Sequence, residues 1–322
     1  MTTDNNNTTA QTSKAWTTAQ IPPQFLRAAF MVGHVPQKAL ASDPRISYAL
    51  YVPPEHYKNP TGDASTRGKP LPLLVHVHGT RRSLALMHRQ LPQFADATGC
   101  AVVAPLYPAG LDGPNDLDSY KQLCSPSLRS DLALLSILEE IAHRWPGIAT
   151  DKVYLMGFSG GGQFAHRFLY LHPERLHAVS VGAPGRVTLL DDQQAWPRGV
   201  ADVEEVFQLK FHPERLREVE IQLVCGSEDV ELHGSNEFRT WVQQHVKAGR
   251  RSGDDNDDGG AVPYMDKGRL GSLRDLETSW NKHAIQSQFD VVDGVAHSSE
   301  GVCKCVLGFL RSQIQKAGPV KQ

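Results

Sequence analysis

Hydrophobic and polar residues alternate along the chain in blocks that predict strands and helices in turn. Short runs rich in apolar and β-branched residues predict strands over residues 46–52, 71–77, 101–106, 153–156, 178–181, 221–225 and 289–292. Between them, apolar residues recur at helical spacing over residues 132–145, 163–171 and 301–314. Continuous apolar runs are typical of strands buried on both faces. The order therefore predicts an α/β fold with a mostly parallel central sheet and helices on both faces.

Three segments interrupt this order. Residues 1–20 are rich in Thr, Asn and Gln, which predicts a disordered polar tail ahead of a single domain over residues 21–317. Residues 184–217 contain no apparent strand, and we expect them to form a small cap. The apolar residues of this cap are expected to line a pocket, although they suit plain packing equally well: Trp196, Val203 and Phe207. Residues 249–268 are charged and Gly-rich, which predicts a mobile acidic insertion.

Residues 157–163 read Gly-Phe-Ser-Gly-Gly-Gly-Gln and directly follow a predicted strand. The spacing Gly-x-Ser-x-Gly between a strand and a helix is the signature of a nucleophile elbow, a sharp turn that exposes a serine hydroxyl. Gly157 and Gly161 lack a Cβ, so the strand and the helix can approach closely at this turn. A phosphate-binding loop would need a Gly-Lys-Ser/Thr ending, which this stretch lacks. Ser159 is therefore the predicted nucleophile.

A serine hydroxyl needs a base that takes its proton. Among the 14 histidines, His297 lies in a loop beyond the last predicted strand, where the active sites of parallel sheets are found. The acid that orients this histidine should lie between the two in sequence and should also follow a strand. Asp229, which follows the sixth predicted strand, is the predicted acid. The alternatives are its neighbour Glu228 and, from an earlier loop, Asp191 or Asp192.

The oxyanion of an acyl-transfer reaction needs two N–H donors. Gly160, directly after the serine, supplies one of them. We expect the other from the loop beyond the second predicted strand, at Thr80, with Arg81 as the alternative. His78 is expected to brace that loop. Arg81 and Arg82 could bind an acidic group of a substrate, or they could simply be solvated.

In this order the motifs resemble those of the α/β-hydrolase superfamily over residues 45–315. Within the superfamily, residues 48–53 and the elbow are similar to the esterases that include feruloyl esterases and polyhydroxyalkanoate depolymerases. Hormone-sensitive-lipase-like esterases carry the motif His-Gly-Gly-Gly. The chain differs from them, because its residues 78–81 read His-Gly-Thr-Arg instead. The resemblance implies a serine hydrolase that acts through an acyl-enzyme, without a metal or an organic cofactor. It implies no particular substrate.

Composition and charge argue against other classes of protein. The net charge is −2 without a basic stripe, which argues against a nucleic-acid partner, and no apolar run is long enough to cross a bilayer. The first twenty residues lack the apolar segment of a signal peptide, and the five cysteines are scattered. Both features predict a cytoplasmic protein with reduced thiols.

Residues 254–259 match the first half of an EF-hand calcium loop. The twelfth position of such a loop should be a bidentate glutamate and is Met265 here. We therefore predict no metal site in this segment.

These observations predict a hydrolase that cleaves a carboxylic ester or a thioester of a small molecule. Such an enzyme could serve a biosynthetic pathway, for example in secondary metabolism. Acyl transfer or peptidase activity would use the same three residues, because the pocket selects the acceptor. A non-catalytic ligand-binding protein on the same fold is the alternative from another class. The presence of all three triad residues argues against it.

Overall fold

The structure, a computed structural model, describes residues 15–58, 69–230 and 268–316. Among these residues, eight strands form one sheet: β1 (Gly33–Ala39), β2 (Ser47–Val52), β3 (Leu73–Val77), β4 (Ala101–Leu106), β5 (Val153–Phe158), β6 (Leu176–Gly182), β7 (Glu220–Gly226) and β8 (Gln288–Val292). Their order across the sheet is β1-β2-β4-β3-β5-β6-β7-β8. The strands from β3 to β8 are parallel, whereas β1 and β2 join the β4 edge in antiparallel pairs.

Helices cover both faces of this sheet. They are α1 (Ala85–Arg89), α2 (Leu91–Thr98), α3 (Ser119–Gln122), α4 (Ser130–Arg144), α5 (Gly160–Leu171), α6 (Val203–Phe207), α7 (Arg269–Asn281) and α8 (Ser299–Lys316). Apolar residues of α1, α2 and α8 form one core, and those of α4, α5, α6 and α7 form the other. Strand β3 shows why its sequence is continuously apolar: Leu74 belongs to the first core, while Leu73 and Val75 belong to the second.

The predicted α/β architecture is confirmed, but some elements differ from the prediction. Strand β1 was not predicted, because it contains Pro36 and polar residues and its pairing with β2 shifts register between Val35 and Lys38. Neither α2 nor α7 was predicted. On α4 not every apolar residue of the predicted helix is buried: Leu132, its first residue, is exposed, while Leu134 lies on the buried face.

The end of the tail and the role of two cap residues also differ from the prediction. Thr18 is fully buried and its hydroxyl lies 2.5 Å from that of Tyr57, so the prediction of disorder is wrong for this end of the tail. The cap segment holds α6 and a 3-10 helix over Pro213–Glu218, without a strand, as expected. Val203 and Phe207 are buried in the core that covers α5. They therefore stabilise the domain, which corrects their predicted role in lining a pocket.

The predicted insertion over residues 249–268 lies, except for Gly268, outside the described residues. Within the described ranges, no helix is both long and apolar enough to cross a membrane. The carboxyl ends of β3, β5, β7 and β8 all lie at one edge of the sheet. Because each predicted site residue follows one of these ends, this edge is where the site is expected.

Candidate active site

Ser159 occupies the turn that joins β5 to α5. Its backbone has φ 58° and ψ −115°, a conformation that non-glycine residues rarely adopt. The backbone N–H of Ser159 donates to Gly182 O at 2.8 Å, and its carbonyl accepts from the N–H of Gln163 at 3.0 Å. These bonds anchor the strained residue between β6 and the first turn of α5. The local geometry is that of a nucleophile elbow.

Glycines allow the backbone to approach itself closely around this turn. A Cβ on Gly157 would overlap the carbonyl oxygen of Gly161, and one on Gly161 would overlap the carbonyl oxygen of Val77 in β3. A Cβ on Gly162 would likewise overlap the carbonyl oxygen of Gly182, a contact that the sequence pattern did not indicate. Glycine at these three positions therefore lets α5 begin directly against β5 and its neighbours β3 and β6.

The predicted acid and base are in direct contact. Asp229 is 1% exposed, and its Oδ2 lies 2.6 Å from Nδ1 of His297. The ring of Phe158, the residue before the nucleophile, lies 4.8 Å from the ring of His297 between centroids. The His297 side chain is 31% exposed. The structure thus places an imidazole beside the elbow, with one nitrogen held by a buried carboxylate and the ring open to solvent.

The loops after β7 and β8 are bonded to each other, which fixes this pair. The backbone N–H of Glu228 donates to Val295 O at 2.9 Å, and that of Ser227 donates to Val292 O at 2.9 Å. Glu228 itself is exposed. Asp191 and Asp192 accept hydrogen bonds from Gln193 in their own loop. Among the four candidate acids, the structure pairs Asp229 with the histidine.

No hydrogen bond joins the Ser159 hydroxyl to the His297 ring in the part of the chain that the structure describes. Proton transfer between them requires that contact. Catalytic hydrogen bonds are often long before substrate binds and shorten in the complex. The elbow, the imidazole and the carboxylate are otherwise in the order along the sheet edge that the mechanism needs.

Arg269 is a site residue that the sequence did not indicate. It is the first residue of α7, and its Nη1 lies 3.3 Å from Oδ1 of Asp229, the oxygen that does not face His297. The backbone N–H of Leu270 donates to Asp229 O at 3.3 Å. A Cβ on Gly268 would overlap the backbone of Val230. The start of α7 is therefore packed directly against the acid loop.

Replacing Arg269 with methionine should lower kcat/KM about 10- to 100-fold, because the buried carboxylate loses a charged donor and with it part of its fixed orientation. The measurement is kcat/KM of wild type and variant, with Arg269→Lys as the matched variant that restores the charge. An unchanged kcat/KM in Arg269→Met would show that Arg269 has no positioning role.

The predicted oxyanion donors lie next to each other. A Cβ built on Gly160 would lie 2.9 Å from the backbone nitrogen of Thr80. Neither of these two backbone N–H groups donates to another described residue. They are therefore available for a developing negative charge beside Ser159. Arg81, the alternative donor, is an exposed residue and is not among the nearest neighbours of Gly160.

His78 braces the loop that carries Thr80. Burial lowers its pKa to about 4, so the ring is neutral at physiological pH. Its Nε2 accepts the N–H of Tyr107 at 3.0 Å, which leaves the proton on Nδ1, 2.9 Å from Gly79 O. The Tyr120 hydroxyl donates to His78 O at 3.1 Å. The predicted bracing contacts are thus present.

Arg82 also holds this loop, which differs from both of its predicted roles. Its guanidinium donates to Thr80 O at 2.7 Å, to Tyr107 O at 3.3 Å and to Leu117 O at 3.1 Å. It is thus neither simply solvated nor free to bind a substrate through these donors. Because it bonds the carbonyl of Thr80, it fixes the direction of the loop over residues 78–82. This loop carries the predicted oxyanion donor Thr80 and is called the oxyanion loop below.

The EF-hand-like segment over residues 254–259 lies outside the described residues. Among the described residues, no group of histidine, cysteine and carboxylate side chains is arranged to hold a metal ion. All five cysteines fall within the described ranges and are free thiols.

Comparisons with known proteins identify the fold. No protein-family model and no curated protein matches the chain. Among solved structures, poly(aspartic acid) hydrolase-1 from Sphingomonas sp. KT-1 superimposes with a TM-score of 0.59 at 17% identity, over 82% of this chain and 92% of that one. LpqC, a poly(3-hydroxybutyrate) depolymerase from Bordetella parapertussis, gives 0.54 at 18% identity, over 84% and 81%. A ferulic acid esterase gives 0.54 at 14% identity, over 84% and 92%.

The chain has the α/β-hydrolase fold. Two of the matched structures carry names from the esterase group that the sequence resembles. At identities below 20% this likeness establishes the architecture, and the chemistry is argued from the site itself.

Proposed function

We propose that the protein is a serine hydrolase that cleaves a carboxylic ester or a thioester of a small molecule through an acyl-enzyme. The observation that carries this proposal is the strained Ser159 at the β5–α5 turn, with the buried Asp229–His297 pair at the same sheet edge. A strained elbow is costly to maintain, and a serine with a merely structural role would not require it.

In the first half of the reaction, His297 Nε2 takes the proton of the Ser159 hydroxyl, and the oxygen attacks the acyl carbon. Asp229 holds the proton on Nδ1 and stabilises the imidazolium. The carbonyl oxygen becomes negative and accepts hydrogen bonds from the N–H groups of Gly160 and Thr80. Collapse breaks the bond to the leaving alcohol or thiol, which takes the proton from His297.

In the second half of the reaction, a water molecule takes the place of the leaving group, and the same residues act on it in the same roles. His297 takes a proton from water, the hydroxide attacks the acyl carbon of the Ser159 ester, and the same N–H groups hold the second oxyanion. Ser159 leaves with the proton and the carboxylic acid is released. The partly exposed ring of His297 gives water a route to this step.

Labelling with a fluorophosphonate tests whether Ser159 is activated. The serine oxygen displaces fluoride from phosphorus, so we expect one adduct per wild-type chain in the intact mass. Ser159→Ala should give none, and Ser312→Ala, which removes an exposed hydroxyl near the far end of α8, should label fully. Hydrolysis of p-nitrophenyl butyrate is measured on the same samples. A folded wild-type protein that neither labels nor hydrolyses would favour a non-catalytic binding role.

A further inference from the structure

A cluster of charged residues joins two loops at the edge of the sheet where the site lies. Arg186 follows β6, and Asp118 lies between β4 and α3. Nη1 of Arg186 is 3.7 Å from Oδ2 of Asp118, and the two side chains are 49% and 47% exposed. Because β3 and β5 lie between β4 and β6 in the sheet, this ion pair spans the strand ends that carry the oxyanion loop and the elbow.

Lys121 shares the same carboxylate from the buried side. Its ammonium contacts Oδ1 of Asp118, and its side chain is only 6% exposed. Burial lowers the pKa of Lys121, although the Asp118 carboxylate opposes the effect. The half-exposed carboxylate of Asp118 is thus shared by two cations, Arg186 and Lys121. The other nearby acid, Asp116, accepts from the Ser119 hydroxyl and from two backbone N–H groups at the start of α3.

Further positive charge surrounds this pair. The Arg82 guanidinium lies 4.8 Å from the centre of the Tyr120 ring, and Arg167 donates to Lys121 O at 2.7 Å. The region beside the oxyanion loop therefore carries more positive charge than the two carboxylates of Asp116 and Asp118 balance, since four cations lie there: Arg82, Lys121, Arg167 and Arg186. Such an excess raises the local concentration of anions and strengthens their binding.

The cluster is adjacent to the reacting groups. The hydroxyl of Tyr120, the neighbour of Lys121, would lie 2.5 Å from a Cβ on Gly160. On the other side, a Cβ on Gly185, the neighbour of Arg186, would lie 3.4 Å from Nε2 of Gln163 in the first turns of α5. The cluster therefore borders the elbow and the oxyanion donors on the side of α3.

We propose that Arg186 and Lys121 form an anion subsite of the active site, so that the substrate is an ester carrying a carboxylate. The carboxylate accepts hydrogen bonds from the Arg186 guanidinium and competes with Asp118 for the two cations. This inference rests on the proposed function, because it names the substrate class of the same site. Binding of the substrate carboxylate at this subsite does not require Arg82 to leave its partners, because the Arg82 donors already bond backbone carbonyls.

Two isosteric substrate pairs test the subsite. In the first pair the charge lies on the acyl chain: p-nitrophenyl hydrogen adipate and p-nitrophenyl 6-methylheptanoate. In the second it lies on the leaving group: 4-carboxyphenyl butyrate and 4-carbamoylphenyl butyrate. The quantity compared is the ratio of kcat/KM for the anionic and the neutral member. We expect a wild-type ratio above about 10 in at least one pair, falling as NaCl is raised from 50 to 500 mM.

Arg186→Gln should lower that ratio about tenfold, and Arg186→Glu should lower it further. Arg186 is chosen because it is half-exposed, so the variants should fold. The matched control is Arg27→Gln, since Arg27 pairs with Glu55 at the same 3.7 Å but near the other end of the strands. It should leave the ratio unchanged. A ratio near one, or one that Arg186→Glu leaves intact, would overturn the subsite.

The neutral esters separate this outcome from failure of the proposed function. If wild type hydrolyses a neutral ester and Ser159→Ala does not, the hydrolase stands, and the ratio alone decides the subsite. If no ester is hydrolysed, or if Ser159→Ala retains the activity, the proposed function fails and the inference fails with it.

Discussion

Replacing Asp229 with asparagine should lower kcat for ester hydrolysis about 10⁴-fold while the protein remains folded. The carboxylate lies 2.6 Å from Nδ1 of His297 and holds a proton on that nitrogen. An asparagine amide of the same shape can donate to Nδ1, which moves the ring proton to Nε2. Nε2, the nitrogen that takes the serine proton in the proposed mechanism, then already carries a proton and cannot accept another.

The matched control is Glu228→Gln, which removes the neighbouring carboxylate. Glu228 is exposed, and only its backbone N–H takes part in the loop contacts described above. We expect its kcat to stay within about twofold of wild type, as for most exposed substitutions away from a site. The measurement is steady-state hydrolysis of p-nitrophenyl butyrate, with circular dichroism as the test of folding. Comparable losses in the two variants would mean that Asp229 is not the acid.

Residues that belong to regular elements or to a local motif were predictable from the sequence. The central strands are continuously apolar because helices cover both of their faces, and that pattern alone indicates a parallel sheet. The elbow was predictable because its glycines occupy fixed positions between a strand and a helix. Asp229 and His297 followed from the order of the strands, since both lie just beyond a strand end.

Pairings between distant parts of the chain were not predictable. Arg269 reaches Asp229 across 40 residues, and Arg186 reaches Asp118 across 68 residues. An arginine at the start of a helix or in a loop is ordinarily solvated, so its residue type gives no sign of such a partner. The role of the cap residues was not predictable for a related reason: Val203 and Phe207 are apolar whether they line a pocket or pack into a core. Only the fold decides between these roles.

Replacing Gly161 with alanine should lower the free energy of unfolding by about 3 kcal/mol or more, and the melting temperature by about 5 °C or more. A Cβ at this position would overlap the carbonyl oxygen of Val77 and lie 3.0 Å from that of His78. Both oxygens belong to the backbone of β3 or to the loop directly after it. Neither can rotate away as a side chain could. Relief would require α5 to move off the sheet, and that movement would displace Ser159 as well.

Gly308→Ala is the control, because Gly308 also lies inside a helix, α8, but a Cβ at this position would have no described atom of a neighbouring element within 4 Å. Alanine is the better helix former by about 1 kcal/mol, so this variant should melt at the same temperature or slightly higher. Differential scanning calorimetry of both variants provides the measurement. Both variants add one methyl group, but the melting temperature should fall in Gly161→Ala and stay or rise slightly in Gly308→Ala. This difference separates the cost of close backbone approach from any general effect of adding a methyl group. If Gly161→Ala melted like wild type, the backbone at the elbow would have to be more open than the contacts between α5 and β3 indicate.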